Sequence, residues 1–198
     1  MATVDGGVRQ IEDFYPEARG RSFLVVGASG SGKSSLVFQM IASWRCQDPT
    51  INDRIIVLYT IYQPFYDGLD ARQGLDSLST LDESQLRDKI LIIDDLQSKL
   101  RDYADLIERI FSIYAHHLPM TIIVTIQNWI QLKLPNIVKN ASYIAVLRSR
   151  QSAQTLRALQ SALFPYCQRS LIEAQELNPY RLVHALTANL TDIYLSIW

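Results

Sequence analysis

The chain has 198 residues, of which 48% are hydrophobic and 20% are charged, and its formal net charge is −1. This composition is typical of globular domains and excludes disorder and a coiled coil. A net charge near zero also argues against a protein that holds nucleic acid by overall charge alone.

The apolar runs are too short to span a membrane. The longest, such as Thr121–Ile126, fall well below the roughly 20 residues that a membrane-spanning helix needs. The N-terminus has no basic region followed by an apolar one, as a secretory signal would. Cys46 and Cys167 lack metal-ligand spacing and predict reduced thiols. We therefore expect neither membrane insertion nor secretion, and a reducing compartment.

Residues 1–20 contain Gly6, Gly7 and Pro16 and predict an N-terminal arm, followed by a single domain over residues 21–198. In that domain short apolar runs alternate with helical patterns, which is typical of crossover units that build a mostly parallel sheet flanked by helices. The predicted fold class is therefore α/β.

The predicted strands are rich in Val, Ile and Leu without polar alternation, as expected for strands that are buried on both faces. They are Ser22–Val26, Arg54–Tyr59, Lys89–Ile93, Met120–Ile126 and Ser142–Leu147.

Helical spacing of apolar residues predicts helices over Lys33–Trp44, Arg101–His117 and Ser152–Leu163. After Pro179 the pattern changes to "YRLVHAL" and "DIYLSIW", joined by the polar "TANLT". This pattern predicts an antiparallel hairpin on a sheet edge.

The stretch "GASGSGKS" matches the phosphate-loop pattern G-x-x-x-x-G-K-[ST], with an apolar strand before it and a helical pattern after it. Glycines let backbone N–H groups converge on phosphates, and the helix N-terminus adds partial positive charge. Lys33 is expected to bridge the β- and γ-phosphates of ATP, and the Ser34 hydroxyl to bind Mg²⁺. The predicted nucleotide-binding residues are Gly27, Ala28, Ser29, Gly30, Ser31, Gly32, Lys33, Ser34 and Ser35.

Two further strands end in polar residues suited to ATP hydrolysis. In "KILIIDDLQ" the apolar strand ends at Asp94, which would hold Mg²⁺ through water, and Asp95, which would orient or deprotonate the attacking water. "MTIIVTIQNW" ends in Gln127 and Asn128. If this strand lies between the other two, Gln127 is expected to face the γ-phosphate and report its loss.

Charge is distributed unevenly along the chain. No carboxylate occurs between Glu108 and Glu173, whereas this interval holds seven bases, which are Arg109, Lys133, Lys139, Arg148, Arg150, Arg157 and Arg169. A surface that faces phosphates or a neighbouring subunit and a scatter of ordinary surface bases both fit this pattern.

In this order the motifs resemble the FtsK/HerA superfamily of DNA-pumping ATPases, and within it the genome-packaging ATPases of viruses with double-jelly-roll capsids. The resemblance covers about residues 21–164 and rests, besides the phosphate loop, on "VLYTIYQPFYDGL", "LIIDDL", "AHHLPMTIIVTIQNW" and "YIAVLRSRQSAQTLRAL". One departure concerns Asp95, because many members have Glu there.

The resemblance implies a RecA-like core that assembles as a homo-oligomeric ring, a pentamer or hexamer, around double-stranded DNA, with ATP and Mg²⁺ near the subunit borders. It also implies a trans-acting arginine, for which Arg148 and Arg150 are the candidates. The candidate DNA-facing residues are Lys133, Lys139 and Arg72, the last placed in the loop after the second strand. A capsid or portal-vertex protein would be the further partner, at a virion vertex or in the host-cell interior.

Two other functions remain open on the sequence alone. A nucleoside or nucleotide kinase would use the arginines of "RSRQSAQTLR" to clamp a phosphate acceptor, although it gives no reason for a strand that ends in Gln127. A helicase-loader-type switch would need nucleotide binding but only slow hydrolysis.

Overall fold

The computed structural model describes residues 8–9, 20–96, 100, 102–114, 117–127, 137, 140–147, 154, 157–158, 160–161, 182–187 and 192–196. Nine strands of this described part form one sheet. In chain order they are β1 (Val8–Arg9), β2 (Ser22–Val26), β3 (Ile55–Tyr59), β4 (Asp70–Gln73), β5 (Ile90–Asp94), β6 (Thr121–Ile126), β7 (Tyr143–Leu147), β8 (Leu182–Thr187) and β9 (Asp192–Ser196).

Six of these strands form an all-parallel centre in the order β7-β2-β6-β5-β3-β4. The predicted parallel α/β sheet is therefore confirmed, and the five predicted strands lie within one residue of the observed bounds at each end. Strand β6 lies between β2 and β5. Because parallel strands end at the same sheet edge, the phosphate loop after β2 and the polar residues that end β5 and follow β6 come together there.

The sequence missed β4. This strand, "DARQ", pairs with β3 at one edge of the sheet, and all four of its residues are exposed or half-buried. An edge strand of this kind needs no apolar pattern, because only one side of its backbone is paired and none of its four side chains is fully buried. The expectation that Arg72 lies in a loop was wrong for this reason: Arg72 belongs to β4, where it forms a salt bridge with Asp70.

Helices cover the sheet on its two sides. The α-helices are α1 (Lys33–Gln47), α2 (Glu83–Leu86) and α3 (Ala104–Arg109), and a π-helical turn, Ile110–Tyr114, follows α3 directly. Shorter 3₁₀ turns occupy Ile51–Arg54, Pro64–Tyr66 and Asp76–Thr80. The predicted helix Ser152–Leu163 lies mostly outside the described residues.

The core has two apolar layers, one on each face of the sheet. Successive side chains of a strand point to opposite faces, so Leu24 enters the layer that also holds Ile107 and Phe111, whereas Val25 enters the layer that holds Trp44 of α1. Burial on both faces explains why the central strands read as continuous apolar runs.

The strands that precede and follow the parallel centre extend the sheet. Strand β8 pairs antiparallel with β7 and with β9, and β1, from the predicted N-terminal arm, pairs parallel with β9. Residues 188–191, the connection of the predicted hairpin, lie outside the described part of the chain. Among the helices that the structure describes, none combines the length and apolar character needed to cross a membrane.

The central strand β2 offers a test of the two-layer core. Leu24 is fully buried, and its replacement in Leu24→Ala leaves a cavity, so we expect the free energy of unfolding to fall by roughly 3 kcal/mol in urea denaturation. Ile61→Ala is the control, because Ile61 is 69% exposed and its loss should cost under about 0.5 kcal/mol. Equal losses in the two variants would contradict this core.

Candidate nucleotide-binding site

The phosphate loop is anchored to the strand beside it. The Gly27 N–H donates a hydrogen bond to the Ile126 carbonyl oxygen of β6, at 3.0 Å. A Cβ atom at Gly27 would lie 2.4 Å from Ser31 Oγ and 3.0 Å from Leu147 Cβ, so any larger residue would have to displace these neighbours. Gly32, which caps α1, has a φ of 94°, in the left-handed region that glycine adopts without steric cost. Packing therefore favours glycine at position 27, and backbone conformation favours it at position 32.

Lys33 is the first residue of α1 and is buried. Its Nζ atom donates to the carbonyl oxygens of Gly27 at 2.9 Å and Ala28 at 3.1 Å, so the ammonium group lies inside the loop. Burial lowers the pKa of Lys33, while the charges of Asp95 and Asp94 oppose that shift. A cation at the N-terminus of a helix, among converging backbone groups, is suited to bind phosphate.

Asp94, the last residue of β5, accepts hydrogen bonds from three hydroxyl groups. Its Oδ1 atom accepts from Ser34 Oγ at 3.1 Å and from Thr125 Oγ1 at 2.6 Å, and its Oδ2 atom accepts from the Tyr66 hydroxyl at 2.5 Å. The donors come from α1, from β6 and from the turn after β3. A buried carboxylate needs such partners, because an unpaired one would be strongly destabilising.

The contact between Ser34 and Asp94 fits a magnesium site. Hydroxyl and carboxylate oxygens are hard ligands, and Mg²⁺ commonly binds one or two protein carboxylates together with substrate phosphates and water. In the part of the chain that the structure describes, no cluster of three or more His, Cys, Asp or Glu side chains could hold a metal. The Ser34 hydroxyl and the Asp94 carboxylate supply two oxygen donors, which suits a cation whose other ligands come from a nucleotide and from water.

Asp95 adopts a left-handed backbone conformation, with a φ of 56°, directly after β5. Its N–H donates to Thr125 Oγ1 at 3.0 Å, its carbonyl accepts from Thr60 Oγ1 at 2.8 Å, and its Oδ1 accepts from Gln127 Nε2 at 2.5 Å. Asp tolerates this conformation better than most residues, and the surrounding contacts hold it there. The structure thus brings the predicted Asp95 and Gln127 into direct contact.

The sequence missed two residues of the site. Thr125 Oγ1 donates to Asp94 and accepts from the Asp95 backbone, so one buried hydroxyl connects both acids. A polar residue two positions before Gln127, inside an apolar strand, was the available signal, because buried polar groups need partners. For Tyr66, nothing in the local sequence pattern indicates that its hydroxyl reaches β5.

Tyr66 is buried at the end of the turn Pro64–Tyr66. Burial, and then the hydrogen bond to Asp94, raise the pKa of its hydroxyl, which therefore stays protonated and can act only as a donor to the carboxylate.

The predicted loop residues that remain have simpler surroundings. Ser29, Gly30 and Ser35 are exposed, and Ala28 and Ser31 are half-buried. The other predicted residues, Asn128, Lys133, Lys139, Arg148 and Arg150, lie outside the described residues.

No protein-family model matches the chain, and no curated protein matches its sequence. Solved structures do match. The genome packaging NTPase B204 from Sulfolobus turreted icosahedral virus 2, in complex with sulfate, aligns with a TM-score of 0.65 at 16% identity, covering 90% of this chain and 96% of that one. The same protein with AMPPCP aligns with a TM-score of 0.61 at 15% identity, covering 90% and 98%. The chain has a RecA-like P-loop NTPase fold.

This P-loop fold also occurs within a larger protein. The cytoplasmic domain of the type VII secretion ATPase EccC from Thermomonospora curvata aligns with a TM-score of 0.59 at 15% identity, covering 87% of this chain and 25% of that chain. The structural neighbours thus include the packaging NTPases that the sequence motifs resemble, and the likeness is one of fold.

Replacing Gly27 tests the phosphate loop. In Gly27→Ala the new methyl group overlaps Ser31 and Leu147 and should displace the loop, so we expect binding of a non-hydrolysable ATP analogue to weaken at least about tenfold by calorimetry. Gly74→Ala is the control, because Gly74 follows β4 and has a φ of 82°, so alanine there strains the backbone outside the phosphate loop and should leave the affinity for the analogue unchanged. Equal affinity in Gly27→Ala and the unchanged protein would contradict the assignment.

Proposed function

We propose that the protein is an ATPase that uses ATP hydrolysis to translocate double-stranded DNA, and that its task is to package a viral genome into a preformed capsid. One observation carries the proposal. The edge of the parallel sheet holds the phosphate loop with Lys33 and Ser34, the acid pair Asp94 and Asp95, and Gln127, with hydrogen bonds between them.

The residues divide the work of hydrolysis among them. The loop amides and Lys33 hold the phosphates of ATP, and the ammonium group offsets negative charge that develops on the γ-phosphoryl group. Ser34 and Asp94 are the residues that would hold Mg²⁺, which supplies further charge neutralisation when bound. Asp95 accepts a proton from the attacking water or orients it. Thr125 and Thr60 fix the backbone of Asp95 for this role.

Gln127 is suited to couple hydrolysis to movement. Its side chain donates to Asp95, and β6, the strand that it directly follows, lies beside the phosphate-loop strand β2. A change at the γ-phosphate that moves Asp95 therefore also moves a group attached to the centre of the sheet. We propose that this contact reports phosphate loss to the segments that follow β6, which hold the candidate DNA-facing residues Lys133 and Lys139.

The choice of DNA as the substrate of the motor is supported by two facts. The order of motifs along the chain resembles the FtsK/HerA superfamily, and B204, which shares the fold, is a genome packaging NTPase. The homo-oligomeric ring, the capsid or portal-vertex partner, the action of Arg148 or Arg150 in trans and the location at a virion vertex or in the host cell belong to the same proposal.

The proposal is tested by steady-state ATP hydrolysis with and without long double-stranded DNA. We expect duplex DNA to stimulate turnover, and Asp95→Asn to lower the rate by about 100-fold or more, because the amide cannot take a proton from water. Asp105→Asn is the matched control, since Asp105 is an exposed residue of α3, and it should hydrolyse ATP at the unchanged rate.

Each outcome separates the candidate functions. Turnover that DNA does not change would contradict a translocating motor, and a phosphorylated small acceptor in the assay would indicate a kinase. Nucleotide binding with negligible turnover in the unchanged protein would indicate a switch. Lys33→Ala should abolish binding or turnover, and full activity in that variant would overturn the site itself.

A further inference from the structure

The hydroxyl of Tyr66 is the one described contact of the Asp94 carboxylate that does not come from the helix after the phosphate loop or from the adjacent strand β6. Tyr66 belongs to the segment of residues 60–68 that follows β3. Its ring packs among others of the same segment, with centroid distances of 4.6 Å to Phe65 and 5.8 Å to Tyr62, and lies 5.3 Å from Tyr59 at the end of β3. The ring is thus held independently of its hydroxyl.

The two oxygens of Asp94 have different partners. Oδ1 contacts the hydroxyls of Ser34 and Thr125, and Oδ2 contacts the hydroxyl of Tyr66 alone among the described residues. A carboxylate can rotate about its Cβ–Cγ bond when only one oxygen is held, because that torsion is broad. With a donor on each oxygen the rotation is fixed, and Oδ1 stays directed at Ser34.

The segment that carries Tyr66 is also attached to the other acid. Thr60 Oγ1 donates to the Asp95 carbonyl at 2.8 Å, and the Tyr66 N–H donates to the Gln63 carbonyl at 3.0 Å, which closes the turn. The position of the Tyr66 hydroxyl relative to β5 is therefore set by contacts with the backbone as well as by its own hydrogen bond.

We propose that Tyr66 is a positioning residue for the metal carboxylate: its hydroxyl holds Asp94 Oδ2 so that Oδ1 is presented, together with Ser34, to the divalent cation that accompanies the nucleotide. This inference rests on the proposed function. Residues that hydrogen-bond to a metal ligand and fix its orientation commonly contribute about 10–100-fold to metal affinity, which is lost when they are removed. The Tyr66 hydroxyl has the position of such a partner.

The test measures how strongly Mg²⁺ and nucleotide depend on each other. A fluorescent non-hydrolysable ATP analogue is titrated into the full chain in EDTA and at increasing Mg²⁺, for the unchanged protein and for Tyr66→Phe. We expect the Mg²⁺ concentration that gives half of the maximal increase in analogue affinity to rise about tenfold or more in Tyr66→Phe. Affinity for the analogue in EDTA should stay unchanged, because the phosphate loop is intact.

Tyr62→Phe is the matched control. Tyr62 lies in the same aromatic group, and its hydroxyl donates to Asp67 instead of Asp94. The same atom is removed four residues away, so its Mg²⁺ dependence should equal that of the unchanged protein. Asp94→Asn, which alters the proposed metal carboxylate itself, shows how far the Mg²⁺ dependence of analogue binding falls when the metal site is lost.

The outcomes distinguish a failure of this inference from a failure of the proposed function. If the unchanged protein binds the analogue with no Mg²⁺ dependence, the metal site and the proposed function both fail. If the unchanged protein depends on Mg²⁺ and Tyr66→Phe behaves like Tyr62→Phe, only the role of Tyr66 is overturned. If Tyr66→Phe loses affinity equally with EDTA and with Mg²⁺, the hydroxyl supports the fold and the positioning role is overturned.

Discussion

The buried carboxylate of Asp94 is the group on which the arrangement of the site depends. It lies at the end of a strand with apolar residues on both faces. An ionised acid buried there without partners would destabilise the fold by an amount comparable to the whole free energy of unfolding of a small domain. Hydroxyls from α1, from β6 and from the turn after β3 each contribute a hydrogen bond to it. Satisfying this one acid therefore brings together three segments that are far apart in sequence, and the same contacts place Ser34 and the acid where a nucleotide-bound cation would need them.

The sheet order makes those contacts possible. Strand β6 lies between β2 and β5, with Val26 beside Ile126 and Ile93 beside Val124. This register puts Thr125 level with the acid pair and Gln127 just beyond it. Because strand side chains alternate between faces, a shift of one residue would turn Thr125 to the opposite face and remove its bonds to Asp94 and Asp95. The two apolar layers that fix the register thus also fix the geometry of the site.

Features that depend on residues close together in sequence were predictable, whereas contacts between distant residues were not. Strands buried on both faces leave a continuous apolar run, and the phosphate loop has fixed spacing between a strand and a helix, so β2, β5, β6 and their polar ends were predictable. Strand β4 was not, because an exposed edge strand needs no apolar residues. Tyr66 was not, because its contact with Asp94 spans 28 residues and arises only when β3 and β5 pair. Thr125 was partly predictable. A single threonine in an apolar strand indicates that its hydroxyl has a buried hydrogen-bond partner, but the sequence does not identify that partner.

The most direct test of the central claim is a crystal structure with Mn²⁺ and a non-hydrolysable ATP analogue, read by the anomalous signal of the metal. The account predicts one strong peak beside Ser34 Oγ and the Asp94 carboxylate, next to the phosphates held by Lys33, with the Tyr66 hydroxyl still bonded to the other carboxylate oxygen. A metal peak bound away from Asp94, or an analogue bound outside the loop of residues 27–34, would contradict it.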